Sequence, residues 1–486
     1  MEELRKIRLE KLEAIKKAFI NPYPQTTKRT HLISEALDNF QKLAKLKKEI
    51  VVAGRIMALR VHGGSTFLDL RDGSGKIQVF LRKDKLGEKG YRFFLDNFDL
   101  GDFVEIRGFL FKTKRGEKTI EASDYKILTK SLLPLPEKWH GLQDIEERYR
   151  KRYLDLIFNP EVKEKFVLRS KIISEIRRFL DKEGFLEVET PILQTIYGGA
   201  RARPFKTHLN ALDLDLYLRI APELYLKRLL VGGFEKVYEI GRVFRNEGMD
   251  RFHNPDYTHF EFYWAYHDYK DLMKFVERMV LAVIKNIFKK TKILYQNKEI
   301  DFKVPWPRVE FESLVRKEAK IDLEAINLEA LKKKAKQLGI EVEKAEGKAE
   351  IADKIYKKFC LTKIWSPTFI IHHPVGKSSL AKTLEKNPKK LASLQFVAGG
   401  WELGWGYSEQ NDPIEQRKGF EEQEKLYVEG LEEAERVDQD YLEALEYGMP
   451  PAAGFGLGID RFVALLTDSY SLREVILFPL MRPKEK

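Results

Sequence analysis

YLRIAPELYLKRLLVGGFEKVYEIGRVFRNEGMDRFHNPDYTHFEFYWAY, residues 217–266, is the stretch from which the rest of the chain can be read. The alternation in KVYEIGRVFRNEG suits a strand, a loop follows, and DYTHFEFYWAY suits an antiparallel return strand. Alternate side chains of a strand share a face, so Arg245 and Glu247, then Glu261 and Tyr263, are expected to point the same way. Acid, base and aromatic side chains on one sheet face are costly as core filling, because buried charges need partners. The hairpin therefore reads as the wall of a binding site rather than as a lattice of salt bridges.

Two further blocks flank it. Upstream, FVLRSKIISEIRRFLDKEGFLEVETPIL (166–193) places Val167, Ile172, Ile173, Ile176, Phe179 and Leu180 along one helical face. Gly184 fits a helix C-cap, and FLEVE then reads as a strand ended by Pro191. Downstream, GFGLGIDRFVALL (454–466) sets three alternate glycines before Asp460, Arg461 and an apolar helix. Alone, such glycines indicate only close packing. The block GGWELGWGYSEQND (399–412) adds the glutamates Glu402 and Glu409.

Residues 50–130 have a different character, with five β-branched and aromatic runs divided by His62-Gly63-Gly64 and Asp72-Gly73-Ser74-Gly75. A helix-like piece, GEKGYRFFLDNF, falls between the third and fourth runs. This is the order of an OB-fold barrel, a frequent binder of single-stranded nucleic acid. Domains are accordingly expected at 1–48 (a charged helical extension), 49–131 (the OB-fold) and 151–486 (a mixed α/β region), with a Pro-containing linker at 132–150. A Lys- and Glu-rich helical insert is expected at about 320–360.

Composition bounds the function. The 486 residues include 33% charged and 43% hydrophobic residues, which describes a folded globular chain of more than one domain. No apolar run approaches the roughly 20 residues that span a bilayer, and MEELRKIRLEKLEAIKK has no apolar core of a signal peptide. A cytoplasmic location and no membrane partner are expected. The one cysteine, Cys360, leaves no internal disulfide or multi-cysteine zinc site. A formal charge of +12 favours a polyanionic partner.

In this order FRNEG…HNP and GLGIDR resemble the second and third signature motifs of class II aminoacyl-tRNA synthetases, and the helix–strand–proline block resembles the first. RIAPELYLKRL, HGLQDIEERYRKRYLDL and RNEGMDRFHNPDYT resemble lysyl-tRNA synthetases of the bacterial type more than the aspartyl and asparaginyl enzymes of the same subclass. The resemblance covers nearly the whole chain. It implies an α+β multidomain fold: a five-stranded OB-fold anticodon domain, then a catalytic domain with an antiparallel sheet flanked by helices. It implies a homodimer, with the first motif's helix at the two-fold interface. The implied reaction joins L-lysine to ATP as lysyl-adenylate, with Mg²⁺, and then loads tRNA(Lys).

Residue by residue, the resemblance makes Arg245 the α-phosphate arginine and Arg461 the arginine at the adenine face and γ-phosphate side. Glu247 reads the adenine amino group, His253 and Asn254 border the triphosphate, and Tyr257 stacks on adenine. Glu402 matches a magnesium ligand. Tyr263 and Glu409 would meet the lysine ammonium; Glu223, Glu261 and Gly199 would surround the α-amine and carboxylate, with Tyr407 beside them. Phe67, Gln78 and Glu121 match anticodon-reading positions. Relatives usually carry an amide where this chain has Trp405, a second magnesium-binding glutamate at Gln395, and S-P-L-A where this chain reads SSLAK (378–382).

Three other functions fit parts of this pattern. An aspartyl or asparaginyl enzyme would need a cationic end-stop, whereas Glu223 and Glu409 are anionic. A paralogue that modifies protein would lack residues 50–130. A non-catalytic or altered-substrate descendant would be favoured by Trp405 and Gln395, against the retained Arg245, Glu247, Glu402 and Arg461.

Overall fold

A computed structural model describes residues 2–136, 144–343, 346–431 and 433–484. The chain divides into two compact units, Met1–Gln143 and Asp144–Lys486.

In the first unit, β1 (Ile50–His62), β2 (Ser65–Arg71), β3 (Lys76–Arg82), β4 (Phe103–Lys112) and β5 (Lys118–Thr129) close into a barrel. Neighbours run in the order β1-β2-β3-β5-β4, antiparallel except where β3 meets β5. Alternation sends Leu68, Leu70, Ile77, Val79 and Leu81 inward, and a helix over Lys83–Asn97 follows β3. At Gly108 a Cβ would stand 2.1 Å from the Glu121 carbonyl oxygen, so β4 and β5 approach this closely only with glycine there. The N-terminal residues are not a separate body. Ile15, Ile33, Phe40 and Leu43 belong to the barrel's own core, and buried Arg8 donates to the Ser131, Leu133 and Leu100 carbonyls at 2.9–3.0 Å. The boundary expected at residue 48 is thus a change of secondary structure within one unit.

The expected linker at 132–150 is shorter than its sequence implied. Ile145–Arg150 is helical, its first amides accepted by the Asp144 carboxylate, and it belongs to the second unit. Residues 137–143 of that linker lie outside the described residues.

The second unit is built on an eight-stranded sheet. Its strands are β6 (Leu186–Glu187), β7 (Lys236–Phe244), β8 (Asp256–Ala265), β9 (Arg308–Glu310), β10 (Thr368–Ile371), β11 (Ser393–Ala398), β12 (Trp401–Ser408) and β13 (Ala452–Gly458). They lie in the order β9-β10-β11-β12-β13-β8-β7-β6, antiparallel except for the pairs β9·β10 and β6·β7. One face packs on α1 (Pro160–Lys182), α3 (Tyr269–Phe288) and α5 (Ile459–Leu466), burying Ile172, Ile176, Val276, Met279, Phe462 and Val463. α1 ends where Gly184 adopts a φ of +81°, the left-handed geometry a C-cap needs. Of the strand expected after it, only Leu186–Glu187 pairs with a neighbour. The other face carries α2 (Glu223–Val231). At the β9–β11 edge, α4 (Lys348–Phe359) and the helix Leu328–Gln337 share a core with Ile370 and Val397. The insert at 320–360 is therefore packed on the sheet, and buried Cys360, its thiol pushed up to about 11 by burial, is part of that packing. Among the described residues, no helix is long and apolar enough to cross a membrane.

Candidate active site

The hairpin β7–β8 has its antiparallel register at Val237↔Tyr263, Glu239↔Glu261 and Gly241↔His259. Alternation on β8 brings Tyr257, His259, Glu261 and Tyr263 to one side, where they line a cavity of about 340 Å³. Arg245 and Glu247 also line it, but not as strand residues: β7 ends at Phe244, and only the Arg245 amide continues the ladder, donating to the Pro255 carbonyl at 2.7 Å. They reach the cavity from the turn, not by sheet alternation as expected.

On β12 an extra residue opposite β11, between the pairs Phe396↔Gly404 and Val397↔Glu402, restores Glu402 to the same side as Trp405 and Tyr407. Without that bulge the carboxylate would face the core. β13 floors the cavity with glycine. A Cβ on Gly454 would sit 2.3 Å from Glu409 Oε1 and from the Tyr263 ring. Gly199, at φ +83°, passes so close to Glu223 that a Cβ would meet its Cβ at 2.9 Å.

One end of the cavity is acidic. Glu223, in the first turn of α2, accepts from Lys227 Nζ and from Tyr407 Oη, each at 2.6 Å. Lys227 Nζ also lies 2.5 Å from Glu409 Oε2, yet neither Glu409 oxygen has an aligned hydrogen-bond donor among the described residues. Tyr263 Oη donates to Glu261 Oε2 at 3.0 Å, and His259 Nε2 is 3.1 Å from Glu261 Oε1. Two buried carboxylates thus share one lysine ammonium, and a third, Glu261, lies near them on His259 and Tyr263. Burial, opposed by Lys227 and reinforced by Glu261, pushes Glu223 up to about 7. Burial likewise holds Glu409 well above the usual carboxylate range. Both are poised to ionise when a further cation arrives.

The other end is cationic and more open. Arg461 Nη1 donates to the Glu402 carbonyl at 3.1 Å, and Nη2 meets His253 Nε2 at 3.1 Å. Asp250 accepts from His253 Nδ1 at 2.9 Å, which leaves Nε2 as the acceptor for Arg461. The Arg245 guanidinium lies 5.5 Å from the Tyr257 ring centroid, and its buried Nε has no hydrogen-bond partner among the described residues. Asn254 is turned to its own loop, donating to the Asp256 carbonyl at 2.7 Å, while still bordering the cavity.

All thirteen catalytic-unit residues expected at the site line this cavity: Gly199, Glu223, Arg245, Glu247, His253, Asn254, Tyr257, Glu261, Tyr263, Glu402, Tyr407, Glu409 and Arg461. Gln395 does not. It sits buried on β11 beside Trp405, whose indole stands edge-on to the His373 ring at 4.3 Å. Burial lowers the His373 imidazole to about 3, so it is a neutral neighbour. Sequence reasoning gave no role to Lys227, although its i+4 spacing from Glu223 on a helix was a usable signal. Lys357 and Lys377 also line the cavity; Lys357, four residues after Asp353 on α4, offered the same kind of signal, and Lys377, in a loop, offered none.

No group of three or more His, Cys, Asp or Glu side chains that could hold a metal occurs among the described residues. Glu402 alone, with substrate phosphates, fits the way magnesium is usually bound, through one or two carboxylates and the phosphates.

On the barrel, Phe67, Gln78 and Glu121 occupy the outer faces of the neighbouring strands β2, β3 and β5. Phe67 is not barrel core: Leu68 and Leu70 fill that role, while Phe67 stacks on Phe80 with ring centroids 4.4 Å apart. Gln78 Oε1 accepts from Thr119 Oγ1 at 2.9 Å, leaving its amide donors, and Glu121 pairs with Arg82 at 3.0 Å. Phe80 and Phe111 extend this aromatic face beyond what was expected.

Comparison with known proteins identifies the family. Residues 144–482 match the family described as tRNA synthetases class II (D, K and N), and residues 50–128 match the OB-fold nucleic acid binding domain. A lysine–tRNA ligase of Carboxydothermus hydrogenoformans is 49% identical, over 100% of this chain and 99% of its own. Others from Pelotomaculum thermopropionicum (49% identical, 100% of this chain and 96% of its own) and Moorella thermoacetica (47%, 100% and 99%) are similar to a comparable degree.

Proposed function

The chain belongs to the class II lysine–tRNA ligase family, and from that membership we propose that its cavity condenses L-lysine with ATP and passes the lysyl group to the 3′ end of tRNA(Lys). The observation that carries the substrate assignment is the excess of buried carboxylates at one end of the cavity, where Glu223 and Glu409 share the ammonium of Lys227 and Glu261 lies near them on His259 and Tyr263. A lysine ammonium docked there supplies the counter-charge that lets the raised carboxyls ionise, whereas a neutral side chain supplies none. In this reading Glu409 and Tyr263 meet the ammonium, and Glu223, Glu261, Tyr407 and the Gly199 backbone hold the amino-acid head.

The reacting carboxylate is already ionised at neutral pH, so no protein base is required. The protein's task is to place two anions in line and to balance charge on the phosphoryl oxygens. Arg245, with its unpartnered Nε, is the donor for the α-phosphate; Arg461 and His253 take the outer phosphates; Glu247 and Tyr257 hold adenine. Magnesium bound by Glu402 and the phosphates would add Lewis-acid charge neutralisation. Phe67, Gln78 and Glu121 are the proposed anticodon contacts. A homodimer and a cytoplasmic site of action complete the reading; exposed Val167 on α1 and Leu186 on β6 are the apolar side chains such an interface would cover.

Lysine-dependent exchange of labelled pyrophosphate into ATP, with arginine, ornithine and aspartate in parallel, tests the activation step. Lysine-selective exchange is expected. Folded protein with no lysine signal in Mg²⁺ would sink the reading and turn attention to Trp405.

A further inference from the structure

Two cations that this reading leaves unused stand at the open end of the cavity. Lys357 projects from α4 and Lys377 from the loop after β10, and both line the cavity. Both are tied to Asp353, one turn earlier on α4: its Oδ2 lies 2.9 Å from Lys357 Nζ and 2.8 Å from Lys377 Nζ. One carboxylate balances only one of two ammonium groups. The trio therefore carries a net positive charge into the cavity.

Its surroundings make this a ligand-facing charge. Asp353 is buried, and its pairing holds it well below the usual carboxylate range, so it remains an anion that fixes both lysines. Lys357 nevertheless keeps 51% of its side chain open. After Asp353, Glu402 and Arg461 are the charges that act on its ammonium, which places it with the residues given to the outer phosphates. The neighbouring lysines of α4 behave otherwise: Lys354 pairs with Glu346, and Lys358 donates to the Leu338 and Gly339 carbonyls. Gln395, meanwhile, is neutral and outside the cavity lining, so the protein oxygens at this end suit one divalent ion rather than two.

We propose that Lys357 and Lys377 bind the β- and γ-phosphates of ATP and the departing pyrophosphate, supplying as fixed ammonium groups the positive charge a second divalent ion would bring. Lysine is suited to this as a compact point charge, and Asp353 is the positioning residue. The inference rests on the cavity being the ATP site.

The test is calorimetric titration of the full chain with inorganic pyrophosphate, first in EDTA and then in Mg²⁺. It compares the native protein with Lys357→Gln, Lys377→Gln and the double variant. Glutamine keeps a donor for Asp353, and thermal melting checks the fold. Binding in EDTA should weaken by about tenfold or more per substitution, the worth of one charge-assisted hydrogen bond, with lysine binding unchanged. Lys357→Arg should restore it. Unchanged pyrophosphate affinity in the double variant would overturn the proposal. So would a double variant that melts early and loses lysine binding too, which would make the trio a brace for the fold. Pyrophosphate binding that depends on the lysines, in a protein without lysine-dependent exchange, would keep this inference and sink the activation reading instead.

Discussion

At one end of the catalytic cavity, Glu223, Glu261 and Glu409 are 5%, 5% and 1% exposed and Lys227 is fully buried, whereas at the other end Lys357 keeps half its side chain open. The buried end gathers carboxylates, phenols and one ammonium, with positions held by glycine floors and a helix turn. The open end spreads Arg245, Arg461, Lys357 and Lys377 around a space with few bonds among them. The difference follows the ligands. A single ammonium is a point charge that a desolvated, pre-set cluster can select against neutral competitors. A triphosphate carries its charge over many oxygens and needs several donors that can follow it through bond breaking.

The largest effect should come from removing a donor that acts on the charge developing in the reaction. Arg245→Ala is expected to lower the pyrophosphate exchange rate by about 10²–10³-fold with the melting temperature unchanged. Near-normal exchange would take Arg245 out of the reaction and erase the division between the two ends. Glu409→Gln should act at the buried end alone, raising the lysine KM by about 10- to 100-fold while the ATP KM moves little. Equal changes in both constants would show that the ends are not separate.

The pH dependence sharpens the same contrast. Glu223 is pushed up to about 7 in the free site, so lysine binding below that pH must displace a proton. Lysine affinity should then fall by about tenfold per pH unit on acidification below neutrality and level off above it, while ATP affinity stays flatter. A lysine profile flat from acid to alkaline pH would contradict a Glu223 carboxyl raised by burial at the amino-acid head. The smallest effect is expected from Phe67→Ala, which should touch neither end. Because the ring already rests on Phe80, tRNA charging should weaken by roughly fivefold, at the low end of the about 1–3 kcal/mol that base stacking contributes, with exchange unaffected. Charging at the native rate would remove Phe67 from tRNA recognition.

How far the site was legible varies with how its residues reach it. Tyr257, His259, Glu261 and Tyr263 follow from period-two alternation along one strand, and the barrel's five strands follow from their turns. Arg245 and Glu247 arrive at the right place by a turn that continues past the strand end, which alternation alone does not describe. Glu402 depends on a bulge whose extra residue, Leu403, has no distinctive composition. The N-terminal helices look like a separate extension in sequence because their charge masks the few apolar residues that join the barrel core.

Local pattern therefore determined the strands, the hairpin, the helix caps and the family motifs, since each depends on residues a few positions apart with fixed geometry. Tertiary structure alone decided that Lys227 also reaches Glu409, that Gln395 lies behind Trp405 rather than in the cavity, and that Lys377 joins Lys357 at Asp353. Those placements bring together residues from separate elements, and burial and charge act through space, not along the chain.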